Sequence, residues 1–202
     1  MRPVVGWKVL LAIMVLLVGI LLIPRRQKST MTSPLSCESP LDTYLTFIHQ
    51  ARRQKDSVFK VDPFSPIPEE KRAGFSGLKY FPVNRKWCLQ GKYEPLPNAL
   101  PPVGGAIWLD LPTLDSCREA SRLLLYKGRQ GEVYMAFWDS TAALGMTYEG
   151  GRYVPVQIKE GIGFVDFNQA YFPYCAYDSR YICLPYPPEN RLCISVLAGE
   201  RW

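Results

Sequence analysis

From Val4 to Ile23 the chain reads VVGWKVLLAIMVLLVGILLI, an apolar run of twenty positions whose only charge is Lys8. As a helix rising 1.5 Å per residue this run spans roughly 30 Å, the thickness of a bilayer's hydrocarbon layer. Lys8 lies in the second turn, where its stem reaches the headgroups, and Trp7 beside it suits the same interface. Pro24-Arg25-Arg26 ends the helix. The run is long for the apolar core of a cleavable leader, and no small-x-small site follows it. The pattern therefore predicts an uncleaved single-pass anchor in residues 1–30, a polar, proline-bearing tether over 31–40 and one domain over 41–202.

The domain opens with a second kind of periodicity. Leu41, Tyr44, Leu45 and Ile48 fall at i, i+3, i+4 and i+7, which predicts an amphipathic helix over 41–54 burying those four side chains. Ser39 or Asp42 is available to cap its start, and Arg52, Arg53 and Lys55 load its last turn. Eleven prolines between Pro82 and Pro188 then exclude long helices, except in the proline-free stretch Thr113–Val154, which carries five glycines. Glu69 to Ala73 has room for a turn or two of helix. Strands are predicted at 86–93, 104–110, 121–127, 132–138, 153–158, 162–167 and 192–198. The clearest pair is RLLLY and EVYMAFW, joined by a loop bearing Gly128 and Gly131. The first of these has a competing reading as a short helix capped by Asp115. The fold class is mainly β: an antiparallel sandwich or barrel with one N-terminal amphipathic helix, preceded by a single transmembrane helix.

Net charge of +6 and a pI near 9.0 suggest nucleic acid, but the distribution removes that reading. Arg2, Lys8, Arg25, Arg26 and Lys28 supply five of the six surplus charges, and residues 31–202 are balanced to within one. No basic stripe is left to track a phosphate backbone. One histidine, His49, excludes any mechanism that needs two, and no metal-type partner stands at i±4 from it. No cofactor and no metal site is expected.

Chemistry-bearing residues concentrate in the last third. Tyr148-Glu149-Gly150-Gly151-Arg152-Tyr153 is followed by Asp166-Phe167-Asn168-Gln169-Ala170-Tyr171. After these come Tyr174-Cys175-Ala176-Tyr177, Cys183 and Pro187-Pro188-Glu189-Asn190-Arg191. Together with Phe137-Trp138-Asp139-Ser140-Thr141 and Gly77 to Val83, these segments resemble the bacterial domain of unknown function 1684 family over about residues 41–200. Trp138 stands where that family usually has arginine, and Phe172 where it usually has asparagine. The resemblance brings no activity with it. It implies an exported or membrane-attached protein, and so a soluble domain on the extracytoplasmic side; the basic residues flank the apolar run too evenly to decide the topology.

Three functions stay open. The first is a membrane-anchored module binding a small polar or anionic ligand near the C-terminal motif, through Arg152, Asp166, Asn168, Tyr171, Glu189, Asn190 and Arg191. Arginines grip anions by paired hydrogen bonds, so Arg152 and Arg191 would be the clamps. The second is a histidine-independent hydrolase or lyase using Asp166 and Glu189 as acid and base, which requires the two carboxyls to converge. The third is an envelope structural protein whose motif residues lock the C-terminal segment onto the sheet. Cys175 and Cys183 are candidates for a disulfide; packed thiols, metal ligation and nucleophilic chemistry are the alternatives, and their spacing to Cys193 fits no common zinc pattern. The seven tyrosines from Tyr148 to Tyr186 read as core and corner residues.

Overall fold

The computed structural model describes residues 37–112 and 122–202. The predicted anchor over 1–30, most of the tether and the Asp115-capped helix lie outside them. Among the described residues no helix is long and apolar enough to cross a membrane.

Helix α1 (Leu41–Val61) runs about two turns beyond its predicted end and docks on a barrel. The barrel is closed, all antiparallel, in the order β2 (Cys88–Pro95), β3 (Val103–Leu109), β4 (Arg122–Lys127), β5 (Val133–Phe137), β6 (Arg152–Lys159) and β7 (Ile162–Asp166). Six of the seven predicted strands are these six. Strand β2 closes the ring by pairing with β3 on one side and β7 on the other. Gly91 makes that possible: a Cβ there would sit 1.8 Å from the Trp108 carbonyl oxygen. The β6–β7 hairpin turns on Glu160 and Gly161, both at positive φ, as a two-residue turn matched to strand twist demands. Short helices α2 (Glu69–Arg72) and α3 (Ser140–Ala143) fill connections, and a two-residue ribbon joins β1 (Lys79–Tyr80) to β8 (Glu200–Arg201).

Alternation along the strands sends Ile107, Leu109, Leu123, Leu125, Met135, Phe137, Val154, Val156 and Val165 into the barrel, where Trp87 and Phe167 complete the core. Six strands enclose little space, so side chains fill it. The predicted strand at 192–198 departs from its pattern in an instructive way. Leu192, Ile194, Val196 and Ala198 are buried in the core with strand-like period. Their backbone, however, forms no more than an isolated parallel bridge, between Arg191 and Trp138. The segment plugs the barrel end: Leu192 and Ile194 bond to the backbone of Trp138 and Ser140, and Val196 and Ala198 are held by the side chains of Asp139 and Arg152, so it is extended without being a strand.

The docking face of α1 also departs from its hydrophobic pattern. Tyr44, Ile48 and Phe59 are buried, whereas Leu41 is 53% exposed and Leu45 only half-buried. The face continues through Arg52 and Lys55, two cations that the sequence pattern places at the helix end. Arg52 donates to the carbonyls of Phe81 (3.2 Å) and Asn168 (3.4 Å), and Lys55 pairs with buried Glu200. No side chain caps the start; Pro40 occupies that position. Ahead of it, the Cys37–Cys88 disulfide ties the chain to β2 at a Cα separation of 5.5 Å. Arg85 supports the joint by donating to the Cys37 and Ser39 carbonyls.

A tyrosine-lined trough beside a buried polar lock

Arg152 opens β6 with its side chain facing inward, and only 1% of it reaches solvent. Its Nη2 donates to Asp139 (2.6 Å) and to the Val196 carbonyl (2.8 Å), and its Nη1 to the carbonyls of Ala198 and Glu200. Burial lowers the guanidinium's pKa and Asp139 opposes the shift. Asp139 in turn accepts from the Thr141 amide (3.0 Å) and hydroxyl (2.6 Å) and from the Val196 amide (3.2 Å). The pair thus replaces the sheet partner that residues 196–198 lack. A buried ion pair of this kind is tolerable because hydrogen bonds to Thr141, Val196, Ala198 and Glu200 complete it at every polar atom but Arg152 Nε.

Asp166 and Asn168 form a second lock, beneath α1. The Tyr44 hydroxyl lies 3.1 Å from each Asp166 oxygen and accepts from Asn168 Nδ2 at 2.9 Å. Asn168 also brackets the Asn84 backbone, accepting its amide at 2.8 Å and donating to its carbonyl at 2.9 Å. Burial raises the Asp166 pKa, while the Asn168, Tyr44 and Gln169 hydrogen bonds hold it down.

Asn190 makes a third. It is fully buried, its Oδ1 accepts from the Leu124 amide (2.8 Å), and its Nδ2 donates to the carbonyls of Leu124 (2.9 Å) and Ala136 (2.7 Å). Strands β4 and β5 pair only at Tyr126–Tyr134 and Lys127–Val133, and the Asn190 amide fills the gap where they splay. Its neighbours differ. Glu189 is exposed, and Arg191 is exposed with its guanidinium 4.2 Å from the centroid of the Trp138 ring. Of the seven residues expected in one pocket, Asp166 and Asn168 touch each other. Arg152 and Asn190 sit in separate buried networks, Glu189 and Arg191 lie on the surface, and no contact joins Asp166 to Glu189.

Tyr171 is different again. It belongs to an open trough of about 530 Å³ lined by Tyr134, Tyr153, Tyr171, Tyr174 and Tyr181. Tyr153, next to Arg152 on β6, exchanges both backbone hydrogen bonds with Tyr171 (2.8 and 2.9 Å), which sets their rings edge to face at 5.9 Å. Tyr134 on β5 lies 5.5 Å from Tyr153, tilted by 32°. Tyr174 and Tyr181 meet edge to face at 5.2 Å. The far wall is the loop closed by the Cys175–Cys183 disulfide, which carries Tyr181 and Ile182, the latter 100% exposed. The Tyr153 hydroxyl donates to the Leu184 carbonyl and the Tyr181 hydroxyl to that of Phe64 (3.1 Å), pinning both ends of this wall. The hydroxyls of Tyr134, Tyr171 and Tyr174 bond to no protein group among the described residues. Burial raises the pKa of all three and pushes Tyr153 up to about 12, so the hydroxyls stay protonated at neutral pH. Lys55 lies 4.7 Å from the Tyr171 ring centroid, but its charge is taken by Glu200.

Tyr153 and Tyr174 lie in the motif segments but read there as core and corner residues, and Tyr134 and Tyr181 lie outside the motifs. The usable signal was alternation: Arg152 inward makes Tyr153 outward. Glu200, the carboxylate that receives Lys55, the Tyr177 hydroxyl (2.9 Å) and the Phe172 amide (2.7 Å), was likewise missed. Phe172 is buried, its ring centroid 4.5 Å from that of Trp202. Among the described residues no cluster of His, Cys, Asp or Glu is placed to hold a metal ion.

Fold and site together define a small closed β-barrel with a helix docked on its side and an aromatic trough on its outer surface. The chain belongs to the family described as protein of unknown function (DUF1684), whose sequence profile matches residues 73–201. It is similar in structure to an uncharacterised protein of Haloarcula marismortui solved by solution NMR, with a TM-score of 0.62 and 26% identity, over 80% of this chain and 95% of that one. No curated protein matches the sequence.

Proposed function

We propose that this protein is a membrane-anchored, extracytoplasmic binding module that holds a small, uncharged polar ligand in the tyrosine trough beside its C-terminal motif. The observation that carries the reading is the set of three protonated, unpartnered tyrosine hydroxyls in one open concavity. Its volume lies within the range of about 300–1,000 Å³ usual for ligand sites. The arginines expected to clamp an anion are elsewhere: Arg152 is consumed by Asp139 and carbonyls, and Arg191 stacks on Trp138. That argues against the anionic half of the sequence expectation. It also argues against acid–base catalysis by Asp166 and Glu189, one buried under α1 and the other in solvent.

The twenty-residue apolar run supports the anchor. The oxidised state of Cys37, Cys88, Cys175, Cys183 and Cys193 supports the extracytoplasmic side, because disulfides persist in oxidising compartments. The test is a thermal-shift panel of neutral polar, anionic and cationic small molecules on the full chain and on Tyr174→Ala. Stabilisation by a neutral compound that the variant loses is expected. Stabilisation by anions alone, unchanged in the variant, would overturn the reading.

A further inference from the structure

Resting on the reading of the trough as a neutral-ligand site, we infer that the ligand it selects is a saccharide, with its pyranose C–H face on the tyrosine rings and its hydroxyls on theirs. Ring geometry comes first. A flat aromatic ligand is held best between parallel rings, which must stand about 7–8 Å apart to admit it. Here Tyr134 and Tyr153 are 5.5 Å apart, too close for insertion, and the remaining pairs meet edge to face. Such a wall is a platform for stacking and leaves nothing to sandwich. The negative faces of the tyrosine rings attract the weakly positive C–H groups that line one side of a pyranose.

The second observation is hydrogen-bonding capacity. The hydroxyls of Tyr134, Tyr171 and Tyr174 have no protein partner among the described residues, and each both donates and accepts. Sugar hydroxyls have the same dual character, so one ligand uses ring faces and hydroxyl edges together. A quaternary ammonium would use the faces alone, by cation–π attraction, and leave the hydroxyls to water.

The third is charge. No ionisable side chain other than tyrosine lines the trough, and Lys55 behind Tyr171 is neutralised by Glu200. The sugar is therefore one without carboxylate, phosphate or sulfate. The exposed side chains of Ile182 and Leu184 extend the apolar rim to which a second sugar residue would lie adjacent.

The experiment is isothermal titration of the full chain in a polyoxyethylene detergent, which carries neither sugar nor choline. The probes are chitobiose, cellobiose, maltose, choline and nicotinamide. At least one disaccharide is expected to bind, with affinity falling about tenfold in Tyr134→Ala and in Tyr174→Ala as a stacking ring is lost. Tyr134→Phe keeps the packing and removes one hydroxyl, and a fall of about threefold is expected. Binding of nicotinamide without any disaccharide overturns the saccharide class and leaves the neutral-ligand reading standing. Choline binding alone overturns both, as does no binding by any probe. Disaccharide binding undiminished in all three variants places the sugar elsewhere and also overturns the inference.

Discussion

Arg152 and Tyr153 are consecutive residues on one strand, and they lead to opposite kinds of chemistry. The first points into the barrel, where both terminal nitrogens of its guanidinium are taken by Asp139 and three carbonyls and only Nε has no partner among the described residues. The second points out and joins a trough whose tyrosine hydroxyls are partly free. Tyr171 and Phe172 repeat the contrast on the facing segment, one lining the trough and the other buried against Trp202. Strand alternation is the whole cause. The residues that look most chemical in the motif are those the fold needs to replace missing sheet bonds. The residues that look like ordinary packing are those left open to a ligand.

The comparison is broken most severely at Arg152. Its replacement by Ala leaves Asp139 buried without a counter-charge and releases the plug at 196–198. A loss of about 3–5 kcal/mol is expected in a denaturant melt. A neutral outcome would mean that this arginine is not the lock.

Asn190→Ala is expected to cost about 2–3 kcal/mol by the same assay, because it strands the Leu124 amide and the Leu124 and Ala136 carbonyls. Exposed Glu189, its neighbour, should move stability by less than about 0.5 kcal/mol when changed to Ala. Equal effects at the two positions would erase the distinction between plug and surface.

A subtler effect concerns pH. Burial raises the folded-state pKa of Asp166 above its unfolded value. The folded protein then binds that proton more tightly, so this group adds stability as pH falls through its raised pKa, in full below the ordinary aspartate value of about 3.9. Melts of wild type and Asp166→Asn from neutral pH downward should show the wild type gaining on the variant. If it loses ground instead, the cations Arg52 and Arg85 near Tyr44 hold the carboxylate ionised and the sign of the argument is wrong.

Much of the barrel was legible because its strands are short, alternating and punctuated by Gly and Pro, and all six are read at nearly their observed places. The segment 192–198 was legible as a burial pattern, but it is no regular strand: after two backbone bonds to Trp138 and Ser140 its partners are the side chains of Asp139 and Arg152, thirteen residues apart in sequence from one another. The face of α1 was half legible: apolar spacing finds Tyr44 and Ile48, but Arg52 and Lys55 on that face are intelligible only once Glu200 and the Asn168 carbonyl are seen. The site was least legible. Hydrogen-bonding capacity left over after folding is a difference between what a side chain offers and what the fold consumes, and consumption is a matter of tertiary structure.

The claim that free hydroxyls mark the site and consumed ones mark the lock is tested most directly by tyrosine-ring NMR shifts during titration of the full chain with the bound disaccharide. The account predicts that Tyr134, Tyr171 and Tyr174 shift with a common saturation curve while Tyr44 and Tyr177, bonded to Asp166 and Glu200, stay in place. Shifts that begin at Tyr44 or Tyr177 and leave the trough unchanged would contradict it.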